Sequence, residues 1–137
     1  MKGSHLLALL ATVASSIGCA SSSSITGPQL GEPVVLHLKE DIVFPRQDLR
    51  VGFTEVQADS RCPPPGTQAV CVWAGVATVS VWAEQPPHPR SDMVLSTVDW
   101  NGITTSGRYL DYTLEVQGLT RPVDRSDYAL TLAVMTD

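Results

Sequence analysis

From Val34 onward the apolar positions of this chain recur every second residue, and no window carries a convincing 3.6-residue apolar period, so the pattern predicts strands. VVLHLK places Leu36 and Leu38 on one face against Val35, His37 and Lys39 on the other. In LRVGFTEVQA, Leu49, Val51 and Phe53 share a face before the apolar parity shifts to Val56 and Ala58, and that slip predicts a β-bulge near Thr54 and Glu55. AGVATVSVWAE sets Ala77, Val79 and Val81 against Thr78, Ser80, Trp82 and Glu84. YLDYTLEV sets Leu110, Tyr112, Leu114 and Val116 against Tyr109, Asp111, Thr113 and Glu115, and YALTLAVM turns Tyr128, Leu130, Leu132 and Val134 inward. MVLSTVDW is a further strand in which the pattern favours neither face. EQPPHPRSD, NGITTSG and LTRPVDRSD break the alternation between strands.

Six or seven short strands with one apolar face each must stack to bury those faces. The expected fold is all-β, a small antiparallel β-sandwich; a closed or partly open β-barrel is the alternative, because alternation is the same in both. At 137 residues the chain holds one domain.

The N-terminus follows a different pattern. Lys2 precedes a continuous apolar run over residues 6–17, shorter than the roughly 20 residues that span a hydrocarbon core, and small residues follow it. Residues 1–18 therefore read as a secretory signal peptide. SIGCA, with Gly18 before Cys19, resembles the lipobox of bacterial lipoproteins, in which the cysteine receives diacylglycerol and becomes the mature N-terminus. Ser16 stands where that pattern usually has Leu or another aliphatic residue. Cleavage at Gly18-Cys19-Ala20, giving a secreted or periplasmic product, is the alternative. Residues 19–33, rich in Ser, Gly and Pro, read as a flexible tether to a single β domain over residues 34–137. Ala20 in place of an Asp implies, by the same resemblance, an outer-membrane destination if the cell is Gram-negative.

Three cysteines are an odd number for an exported chain. With Cys19 lipidated, Cys62 and Cys71 remain as a pair in an oxidising compartment, where a local disulfide persists. Closing so short a loop, about 10 residues, removes roughly 2.5 to 3 kcal/mol of unfolded-state entropy in the chain-entropy model. Cys71, Trp73 and Gly75 share the parity of Ala77, Val79 and Val81. A strand running unbroken from Cys71 would turn the disulfide and Trp73 toward the core, with the indole plugging one end of the sandwich.

DSRCP followed by CVWAG and an alternating strand resembles a motif of uncharacterised bacterial envelope lipoproteins, in which D-S-R-C-P, a short variable loop and C-x-W-A-G recur. The resemblance covers residues 59–75 and extends loosely to Val81 and to YTLEVQGLTRP. It implies a lipid anchor and a β fold, and it brings no catalytic or binding residues. The loop PPPGTQAV is longer and richer in proline than the motif's own.

A net charge of -5 with nine Lys and Arg argues against nucleic acid as a partner. Catalytic chemistry is poorly supplied: His5 leaves with the signal peptide, His37 faces solvent by parity, and His88 lies among prolines. There is no G-x-S-x-G elbow and no free thiol once the bridge forms, and no pattern draws Asp59, Asp111 and Glu115 together. No metal or other cofactor is expected. Cys62 and Cys71 lack zinc-knuckle spacing, and DRSD at 124–127 lacks the Gly and Glu of a calcium loop and reads as a turn. The binding candidates are the stiff loop of Pro63, Pro64 and Pro65, whose preorganisation suits a protease-inhibitor-like role, and Trp82 and Trp100, which suit stacking on a cell-wall glycan. The chain is thus expected to be a non-catalytic structural or binding protein. Its partners would be the membrane, through an N-terminal lipid, and an envelope protein or cell-wall glycan.

Overall fold

The computed structural model describes residues 26–63, 66, 70–121 and 127–137. The signal peptide, Cys19, Pro64, Pro65 and Asp124 lie outside the described residues. Among the described residues eight strands follow one another: β1 (Pro33–His37), β2 (Asp41–Phe44), β3 (Leu49–Asp59), β4 (Ala77–Gln85), β5 (His88–Ser96), β6 (Ser106–Tyr109), β7 (Tyr112–Thr120) and β8 (Ala129–Thr136). They form two open antiparallel sheets, ordered β1-β8-β7-β6 and β2-β3-β4-β5, packed as a sandwich and not closed into a barrel.

Alternation positions the core. One sheet supplies Phe44, Leu49, Val51, Phe53, Val79, Val81 and Leu95, the other Leu36, Leu114, Leu130, Leu132 and Val134, all buried. Each such side chain removed from water contributes about 1.5 to 3 kcal/mol, which drives the two faces together. The bulge falls between Phe53 and Glu55, as the parity slip predicts. A second irregularity between Val56 and Ala58 leaves Ala58 exposed, against the expected face.

Three further expectations are corrected. YLDY is not strand interior: Tyr109 pairs with Tyr112 across a two-residue turn, so Tyr109 is buried while Leu110, at φ 52°, is exposed. EQPPHPRSD breaks only at Pro86-Pro87, and β5 starts at His88. β4 starts at Ala77, so no strand carries Cys71 and Trp73 toward the core. Gly75 stops it, because at φ 72° it lies so close to the Ser60 and Arg61 backbone that a Cβ would collide with it.

The two ends of the sandwich differ. At one end lie the tight turns β2-β3, β4-β5 and β6-β7 and the start of β1, where Gly31 N–H donates to the Val134 carbonyl at 2.7 Å. The β3-β4, β5-β6 and β7-β8 connections lie at the other end. Nine-residue strands make the two ends about 30 Å apart.

Candidate functional site

The end that carries the long connections is built around Asp59, the last residue of β3. Its carboxylate, 5% exposed, accepts a bidentate pair of hydrogen bonds from the Arg61 guanidinium, each 2.9 Å. The Arg61 backbone N–H donates to the same carboxylate at 3.1 Å, as does the Tyr128 hydroxyl. Arg121 stands 3.7 Å away. Burial alone would push the Asp59 pKa up, but the hydrogen bonds from Arg61, its charge and the Tyr128 hydroxyl outweigh it and hold the carboxyl below the usual carboxylate range. Arg61 also donates to the Leu119 carbonyl, and Arg121 to the Arg61 carbonyl at 2.5 Å. These contacts cross from one sheet to the other, so the first residues of DSRCP clamp the sandwich.

That clamp carries a loop. Ser60 exchanges hydrogen bonds with Val76, and the Cys62–Cys71 disulfide joins residues whose Cα atoms are 5.8 Å apart. Trp73, between disulfide and Gly75, is held out of the core and is 49% exposed. It meets Trp100, 51% exposed, with ring centroids 5.4 Å apart and planes tilted by 39°.

Trp100 is positioned just as firmly. It bridges to Ile103 across Asn101-Gly102, both at positive φ, which is what a two-residue hairpin matching strand twist requires. The hydroxyl of Ser96, buried at the end of β5, reaches the Val98 and Ile103 carbonyls at 2.5 and 3.1 Å. Asp99 accepts the Thr105 N–H at 2.9 Å. Val70, Val72 and Val98, also exposed, flank the pair in sequence.

Among the described residues, the expected binding residues Pro63, Trp82 and Trp100 are not brought together. Trp82 sits in mid-strand on the outer sheet face, half-buried across Gly52, where a Cβ would strike its ring. The Arg90 guanidinium lies 4.3 Å from its centroid, with Arg50 at 6.0 Å, so cationic neighbours already occupy a ring surface expected to await sugar. Arg90 is held by Asp92 at 2.7 Å, and Arg50 by Asp41 at 2.6 Å. Pro63 is half-buried beside the disulfide. Trp100 alone of the candidates joins the aromatic pair, and its partner is the residue expected in the core. A sequence signal for that pairing existed only in the turn chemistry, Gly75 and Asn101-Gly102, not in the alternation.

His37 Nδ1 lies 3.0 Å from Asp127, and both are exposed. Among the described residues no group of three or more His, Cys, Asp or Glu could hold a metal ion, and no helix is long and apolar enough to cross a membrane. Comparison with protein-family models, curated proteins and solved structures finds no match to this chain.

Proposed function

We propose that the chain is a non-catalytic binding module held at a bacterial envelope by lipid on Cys19, with the disulfide-closed end of the sandwich as its contact surface. The observation that carries this is the Trp73–Trp100 pair, two half-exposed indoles fixed in water by a disulfide, a buried ionic clamp and an Asn-Gly turn. Folding alone gives no reason to hold apolar rings out of the core, whereas contact with an envelope component does. The polar groups of that end also support a binding role over catalysis, since Asp59, Arg61, Arg121 and Ser96 bond one another or nearby carbonyls.

Two measurements test the proposal. The intact mass of protein extracted from membranes should show a chain starting at Cys19, heavier by acyl groups and taking two alkyl labels only after reduction. An unlipidated product rejects the anchor. Trp73→Ala/Trp100→Ala should abolish association with the envelope component at an unchanged melting temperature, and association that survives rejects the surface.

A further inference from the structure

Resting on that choice of surface, we infer that the Trp73 and Trp100 tip is a bilayer-contacting element that seats in the headgroup region of a membrane. Three observations select a bilayer. The first is charge. Residues 62–83 contain no Asp, Glu, Lys, Arg or His, within a chain of net charge -5. Of the described charges that border the tip, Arg61 and Arg121 are turned to Asp59 and backbone carbonyls, while Asp99, exposed beside Trp100, accepts the Thr105 N–H. A tip whose rings and valines carry no charge seats at headgroup level with the Asp99 carboxylate still in water, and the acidic body favours keeping the rest of the domain out of the lipid.

The second is side-chain chemistry. Tryptophan concentrates at membrane interfaces, where its ring sits at headgroup level with the indole N–H still wet, and aliphatic neighbours reach the acyl boundary. Val72, 94% exposed, and Val98 supply those neighbours.

The third is reach. Cys19 to Thr26, where the described chain begins, spans at most about 25 Å. That is close to the length of the sandwich itself, so an acylated Cys19 confines the domain to one bilayer. A domain lying along that surface brings its far end to the headgroups.

The test uses the full protein extracted from membranes and placed on phosphatidylcholine vesicles, with or without brominated acyl chains. Trp82→Phe isolates the two tip rings. Their emission should shift to the blue on vesicles and lose intensity to brominated chains, as expected for interfacial indoles. Val72→Ser/Val98→Ser should weaken both effects at unchanged melting temperature. No quenching in a protein whose mass carries acyl groups overturns the bilayer contact and leaves the anchor standing. Emission that responds to muropeptides, or crosslinking of the tip to a second copy or another protein, overturns it too and names the replacement. If the mass lacks acyl groups, the anchor falls; quenching by added vesicles would then still support the tip, and its absence would overturn it.

Discussion

The two ends of this sandwich solve the same problem, joining two sheets where strands stop, with different chemistry. At the end where the chain enters, the turns are short and the link is neutral. The Gln85 side chain donates to the Gln47 carbonyl at 2.6 Å and to the Tyr112 hydroxyl at 3.1 Å. The Gln85 backbone N–H donates to the Tyr109 hydroxyl, which donates to the Pro89 carbonyl. At the other end a buried carboxylate and two guanidiniums do the joining, a disulfide closes the β3-β4 loop beside them, and exposed apolar side chains remain beyond. The neutral end closes the fold with an exposed apolar side chain, Leu110 in the β6-β7 turn, and, among the described residues, no paired rings. The charged end is over-determined for that task, and the surplus rigidity is what presents Trp73 and Trp100.

Removing the carboxylate should show the largest difference between the ends. Asp59→Asn leaves two largely buried guanidiniums without their counter-charge, and losing one partner of such a cluster costs about 3 kcal/mol, readable as a lowered urea midpoint. The pH dependence has a defined sign. A native pKa below the unfolded value means the carboxylate stabilises fully above about pH 4, and that contribution is lost as pH falls through the native value. Wild type should therefore lose stability on acidification below pH 4, and Asp59→Asn should lack that part of the loss. Equal acid limbs would mean that the clamp is not electrostatic.

Replacing both cysteines by serine comes next. The chain-entropy model gives about 2.5 kcal/mol for a loop this short, measured as a lower melting temperature that reduction of the wild type reproduces. Tyr109→Phe probes the neutral end. It strands the part-buried Gln85 N–H and frees the Pro89 carbonyl to water, which costs about 1 kcal/mol. The emission of the tip rings should stay as in wild type; a change there would show that the ends are coupled through the core.

The alternation made most of the sandwich legible. Leu49, Val51 and Phe53, Val79 and Val81, and Leu130, Leu132 and Val134 are buried as their parity predicts, and the slip after Phe53 is a bulge. Parity fails wherever a strand is assumed to continue. Leu110-Asp111 carries no Gly, Asn or Pro, so nothing local announced a turn in which Leu takes a positive φ. Gly75 was legible as a small residue but not as the left-handed position that turns Trp73 outward. The clamp was the least accessible feature. Asp59 and Arg61 are adjacent enough to pair by reading, whereas Tyr128 and the Leu119 carbonyl reach them from the opposite sheet, and only the strand order brings those together.

The smallest stability effect is the most discriminating. Trp73→Ala/Trp100→Ala removes two rings that already stand half in water, so the change should stay within about 0.5 kcal/mol, as for surface substitutions generally. A ring pair that braced the fold would behave otherwise. Its loss would lower the melting temperature about as far as loss of the disulfide, because Trp73 sits between Cys71 and the Gly75 turn and would be the means by which the loop holds to the β5-β6 connection. If the two substitutions match the disulfide in cost, the apolar tip is a part of the clamp and both ends simply close the sandwich. If the melting temperature holds while vesicle quenching disappears, the clamp, the disulfide and the Asn-Gly turn are scaffolding for a surface whose use lies outside the fold.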